Sequence, residues 1–144
     1  MQRIKKTQSV PYSAAQMYAL VNDVDQYAEF VPWCVDSTVL QRTDSEVYAR
    51  LTFASGAITK SFTTQNRLQL NHRIDMSLVD GPFRHLSGFW LFMPDQDSGS
   101  VVSLELEFEF STRLLGVMFG PVFNQVASTL VDAFSQRAEV VYGG

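Results

Sequence analysis

Ser103-Leu104-Glu105-Leu106-Glu107-Phe108-Glu109-Phe110 alternates apolar and acidic residues without a break. Successive side chains of an extended chain point to opposite faces, so Leu104, Leu106, Phe108 and Phe110 share one side and the three glutamates the other. This is a strand with one buried and one wet face, as in an antiparallel sheet covered on one side only. Glu105, Glu107 and Glu109 are its solvated face, and carboxylates paired for acid–base work are not spaced this way.

The same period of two recurs upstream. In 46–53 (EVYARLTF), Val47, Ala49, Leu51 and Phe53 oppose Tyr48, Arg50 and Thr52; in 72–80, Ile74, Met76 and Leu78 oppose Arg73, Asp75 and Ser77. Hairpin turns are predicted at Thr43-Asp44-Ser45, Ser55-Gly56, Asn71-His72, Asp80-Gly81-Pro82 and 95–99. Residues 2–10 (QRIKKTQSV) alternate weakly and read as an edge strand, protected from edge-to-edge pairing by its lysines and ended by Pro11. Ser13 is placed as the N-cap of a helix over AAQMYALVND, and Asp23 as the cap of a second short helix through Tyr27 and Phe30, closed by Pro32.

The last third changes period. Leu115, Phe119, Val122, Val126, Leu130, Ala133 and Phe134 recur at spacings of three and four, with Gln125, Asp132, Gln136 and Glu139 elsewhere on the wheel. Pro121 either kinks this helix or sits in the first turn of a new one after Gly120. A sheet with one apolar face and a long apolar helix bury each other, so the predicted class is α+β. A curved antiparallel sheet of about six or seven strands wraps the C-terminal helix, with two short helices after the first strand.

The chain has 144 residues, 46% hydrophobic and 12% aromatic with eleven Phe, which suggests more apolar lining than packing needs. A net charge of −4 gives no generic attraction to nucleic acid, and DNA is excluded as a partner. One cysteine, Cys34, excludes an internal disulfide and a cysteine-cluster metal site. The first residues lack the apolar run of a secretory signal. The uncharged stretch from Leu114 to Val131 is interrupted by Gly116, Gly120 and Pro121, and falls short of the ~20 predominantly apolar residues of a membrane span. A cytoplasmic, soluble protein is expected.

Catalytic and metal-binding constellations are missing from the sequence. His72 and His85 fall at turns with no ligand-type neighbour at i+3 or i+4. Cys34 has no basic neighbour and reads as a packed small hydrophobe. The unusual segment is 58–70 (ITKSFTTQNRLQL), where Lys60, Thr64 and Asn66 interrupt the face that points inward with Ile58, Phe62 and Leu68. Two explanations stand. These groups supply polar contacts to a wet or ligand-filled cavity, or Lys60 snorkels past a strand end and Asn66 marks a bulge. A second oddity is 84–93 (RHLSGFWLFM), apolar on both faces, with Phe89, Leu91 and Met93 outward.

Several stretches together carry a family resemblance: VPYSAAQMY (10–18), LVNDVDQY (20–27), FVPWC (30–34), KSFTTQN (60–66), LVDGPFRHL (78–86), LEFEF (106–110) and 123–138. In that combination the chain resembles the coenzyme Q-binding and ribosome-association-toxin family of the START-like (helix-grip, polyketide cyclase-like) superfamily. The resemblance spans the chain and implies a single lipid-binding domain over 1–144. It also implies a deep apolar cavity between sheet and C-terminal helix, with ubiquinone or a similar lipid as ligand and no cofactor. Residues assigned to that cavity are Trp33, Phe53, Lys60, Phe62, Asn66, Met76, Leu78, Trp90, Leu106, Phe108, Met118, Phe119, Val122, Val126 and Leu130.

The residues do not choose between two functions that the resemblance implies. One is a quinone carrier serving respiration, touching the inner membrane transiently from the cytoplasmic side. The other is a toxin-like binder of the large ribosomal subunit, which needs an exposed basic patch; Arg67, Arg84 and His85 around the Gly81-Pro82 hairpin are its candidates. A third, cyclase-type function lacks any acid–base constellation.

Overall fold

Strand β7 (Ser100–Phe110) alternates buried and half-buried residues along its whole length, as its sequence dictates. In this computed structural model, which describes residues 1–143, it lies one strand in from the sheet edge. The edge is β1 (Gln2–Val10), paired with β7 from Gln2↔Phe108 to Val10↔Ser100. The rest is an antiparallel meander of β2 (Cys34–Arg42), β3 (Glu46–Ser55), β4 (Ile58–Gln69), β5 (Arg73–Asp80) and β6 (Phe83–Pro94), giving the order β1-β7-β6-β5-β4-β3-β2. Helix α1 (Ala14–Asn22), a 3₁₀ helix (Val24–Glu29) and helix α2 (Arg113–Tyr142) complete the α+β fold.

Local chemistry accounts for most element ends. Ser13 caps α1 in a capping box: its hydroxyl accepts from the Gln16 N–H at 3.1 Å, and the Gln16 side chain accepts from the Ser13 N–H at 2.9 Å. Asp23 makes no side-chain cap, contrary to expectation. Asp25 instead accepts from the Val39 N–H at 2.8 Å and ties the 3₁₀ helix to β2. Helix α2 is one continuous helix with Pro121 inside it, so no second helix starts there. Pro121 deprives the Val117 carbonyl of its partner, but both residues lie on the exposed side of the helix, where the freed group need not be buried unpaired.

β-bulges bend the sheet between Cys34 and Asp36 and between Val39 and Gln41 of β2, opposite Thr63/Thr64 of β4, and near Phe83 of β6. Two glycines permit close approach. A Cβ on Gly88 would meet the Glu105 carbonyl oxygen at 2.1 Å, and one on Gly81 (φ 149°) the Phe62 Cβ at 2.5 Å.

Ten of the eleven phenylalanines gather in two clusters rather than lining a large void; Phe89 lies apart, under the Arg73 guanidinium. Phe53, Phe62, Phe83, Phe108, Phe110, Phe119 and Phe123 pack edge-to-face and stacked where α2 enters the sheet. Tyr27, Phe30, Trp90, Phe92 and Phe134 form the second, further along α2. By length and composition α2 would pass as a membrane span, contrary to the sequence reading. Its fully buried Phe119 and Phe134 make it the core helix of this fold.

Candidate functional site

Between the two aromatic clusters the packing loosens into a hollow of about 70 Å³. Strands β3 to β7 floor it with Ala49, Leu51, Phe53, Phe62, Thr64, Asn66, Met76, Leu86, Trp90, Leu104 and Leu106. Phe123, Val126, Ala127 and Leu130 of α2 roof it, and Val24, Tyr27 and Val31 close its flank. Strand pairing sets the polar point: Asn66 lies between Val47 and Met76, and Thr64 between Ala49 and Leu78. The bulge on this strand pair is at Thr63/Thr64 and not at Asn66, so Asn66 keeps its inward direction.

The Thr64 hydroxyl donates to Asn66 Oδ1 at 3.0 Å. That bond engages the amide oxygen; among the described residues the Asn66 NH₂ donates to no protein group, and it keeps some accessible surface rather than being sealed in the core. It is a donor held at the wall of an apolar space. The lining carries no carboxylate, lysine, arginine or histidine. Its one titratable group is Tyr27, whose hydroxyl donates to the Val21 carbonyl. Burial, then Asp23 and Cys34, pushes that phenol far above its usual range, so it stays neutral. The hollow can bind and orient; it holds no group that moves a proton near neutral pH.

Phe53, Phe62, Asn66, Met76, Trp90, Leu106, Val126 and Leu130, assigned to the cavity from sequence, stand on this wall. The other assignments are corrected. Phe108 and Phe119 are fully buried inside the first aromatic cluster, and Val122 is half-buried beside it. Met118 is 52% exposed and Trp33 41% exposed, both outside the hollow. The spacing of three and four fits either Val122 or Phe123, and tertiary packing turns Phe123 inward. Lys60 is half-buried near the β3–β4 hairpin, and Leu78 is half-buried beside the extra residue Val79. The wall residues that the cavity assignment missed include Val24, Tyr27 and Val31, from a segment whose sequence says helix but not where it lies. The deep cavity expected from the resemblance is a small one.

The basic patch is also corrected. Arg67 pairs by register with Glu46 and Asp75 toward the β4–β5 turn, whereas Arg84 follows the β5–β6 turn at the opposite end of the sheet. Arg84 lies 3.8 Å from Glu109, and His85 4.0 Å from Glu107. His85 Nε2 is also 3.0 Å from Ser87 Oγ. One ring nitrogen thus faces both hydroxyl and carboxylate, which is not the two-nitrogen relay of a hydrolase triad.

Cys34 is buried, and burial pushes its thiol up to about 11, more than its backbone hydrogen bond at Asp36 pulls it down. A raised thiol pKa stabilises the fold below the unfolded value, and that contribution is lost as pH climbs toward 11. At pH 7.5 its alkylation by iodoacetamide is expected to be on the order of a hundredfold slower than in the urea-unfolded chain. Equal rates would show that this strand end opens freely.

The family model described as "Polyketide cyclase / dehydrase and lipid transport" matches residues 10–135. The chain is 43% identical over 143 residues to "Ribosome association toxin RatA" of Vibrio cholerae, covering 99% of each. It is 25% identical over 141 residues to the mitochondrial "Coenzyme Q-binding protein COQ10" of Dictyostelium discoideum, covering 95% of this chain and 69% of that one. Among solved structures, an 18 kDa protein of Caulobacter crescentus is 34% identical with a TM-score of 0.77, each chain covered in full. A Streptomyces aromatase/cyclase superposes at a TM-score of 0.82 with 18% identity, covering 96% of this chain and 93% of that one, a likeness of fold alone.

Proposed function

This chain belongs to the polyketide cyclase/dehydrase and lipid-transport family, and from that premise we propose that it carries a neutral, largely apolar ligand of the ubiquinone class between sheet and α2, in support of respiration. The observation that carries this reading is the free Asn66 amide on an uncharged, apolar wall. A quinone carbonyl is an acceptor for it. A buried carboxylate or phosphate would meet no counter-charge, at a cost of several kcal/mol, so fatty acids and phospholipid heads are disfavoured. The coenzyme Q-binding relative supports the same ligand class. The size of the hollow adds a condition: apolar cavities that take up benzene measure roughly 150 Å³, about twice this one. Loading therefore requires the roof to part. The flank from the 3₁₀ helix is tied to β2 by hydrogen bonds at Asp25 and Ser37.

Trp90 lies on the wall and Trp33 does not, so a Trp33→Phe background leaves one indole as reporter. Long-tailed ubiquinone is expected to quench it saturably. Linear quenching, matched by a tail-less quinone at equal concentration, would indicate collision and count against a site. Val126→Trp at the roof overpacks so small a hollow; it is expected to cost ~1–3 kcal/mol or more and to abolish uptake. Unchanged uptake in that variant would put the ligand elsewhere.

A second reading has its own support in the 43% identity to a ribosome association toxin over both full lengths. On that reading the surface acts rather than the hollow. Co-sedimentation with large ribosomal subunits, falling steeply with salt, together with no quinone uptake, would move the assignment there.

A further inference from the structure

We propose that the pole of the molecule where α2 begins is a docking surface for an anionic lipid bilayer. Antiparallel pairing brings the start of β2, the β3–β4 and β5–β6 hairpins and the end of β7 to that pole. Leu114 and Val117 are each 67% exposed there, with Met118 and Pro121 beside them. Spacings of three and four put these side chains on one side of α2, while Phe119 and Phe123 turn into the core.

Cations accompany the apolar residues. Arg84, Arg113 and Val117 line one open groove, and Lys60 lies one strand repeat from Phe62 toward the β3–β4 hairpin. Among the described residues Arg113 and Lys60 have no acidic partner within salt-bridge distance. The acids at this pole are Glu109, which faces Arg84, and the exposed Asp36 and Asp80. Helix α2 has no acidic residue before Asp132, and none in its first turn. A cation at the positive end of a helix dipole is unfavourable on its own, and a negative surface reverses that sign.

The opposite pole carries both signs: Asp44, Asp95 and Asp97 occupy its turns and Glu139 the end of α2, with Arg42, Arg67 and Arg73 beside the β2–β3 and β4–β5 turns. What sets the α2 pole apart is that Arg113, unpaired among the described residues, stands directly beside exposed Leu114, Val117 and Met118, on a helix face that has no acid of its own before Asp132. Apolar side chains flanked by arginines suit the boundary between headgroups and acyl chains. Nucleic-acid phosphates would use the cations and leave Leu114, Val117 and Met118 without a partner, so the surface fits a bilayer better than RNA.

Flotation of the full chain with vesicles tests this, using phosphatidylcholine alone and phosphatidylcholine mixed with phosphatidylglycerol. Binding is expected to the anionic vesicles only and to weaken with salt. Val117→Glu with Met118→Glu is expected to lower it at least tenfold at unchanged melting temperature, because both side chains are exposed. Arg113→Gln is expected to lower it roughly fivefold. No flotation, equal flotation with neutral vesicles, or unaltered binding by the double variant overturns the proposal. So does a wild-type dimer that the double variant turns into a monomer, since a second copy would then cover this face. Quinone uptake from detergent solution does not need the surface. Vesicle binding without uptake would sink the ligand assignment and leave the surface standing; uptake without vesicle binding would do the reverse.

Discussion

Phe123→Ala is expected to destabilise the protein by about 3–5 kcal/mol and to lower the melting temperature by roughly 10 °C or more. Phe123 is 4% exposed and meets Phe62, Phe83, Phe108, Phe110 and Phe119 within one aromatic cluster. Truncation removes these contacts and leaves a void that α2 and the sheet, tied along their lengths, close only partly. Phe123 also roofs the hollow. The void is therefore continuous with the proposed ligand space, and saturating quinone is expected to recover more of the lost melting temperature in the variant than it adds to the wild type. A variant that melts within a degree of the wild type would show that this cluster is not the core of the fold. Destabilisation without ligand rescue would separate the core from the site.

Asn66→Leu is expected to divide binding from stability. If the Asn66 amide donates to the ligand, its loss in an apolar site weakens quinone binding roughly ten- to hundredfold. Stability is expected to change by no more than ~1 kcal/mol, because two terms oppose each other. Removing a buried amide relieves its desolvation, while the Thr64 hydroxyl loses the acceptor it holds at 3.0 Å. A thermal melt and a titration read on Trp90 measure the two effects separately. Wild-type affinity in this variant would place the ligand's polar head somewhere other than Asn66.

Both expectations depend on residues that the sequence marks to different degrees. Asn66 stands out from its strand alone: parity puts it inward with Phe62, and a polar group there is anomalous. Deciding between a bulge and an inward amide required the register with β5, which places the extra residue at Val79. Phe123 is not marked by its spacing, because a helix whose apolar residues run nearly all the way round gives the period without the phase. Only packing against Phe62 and Phe83 fixes which residues turn inward, and it sends Met118 to solvent.

What the residues determine unaided is whatever rests on local period and local chemistry. The strict alternation of β7, the capping box at Ser13 and the turn residues between strands specify an antiparallel sheet followed by a long helix, because each depends on neighbours within a few positions. Strand β2 escapes that logic: two bulges break its alternation, and most of its residues face water at the sheet edge. The size of the hollow, the closing of its flank by Val24, Tyr27 and Val31, and the separation of Arg67 from Arg84 are tertiary facts. Each follows from segments far apart in the chain meeting across a curved sheet, and no local pattern encodes how closely they meet.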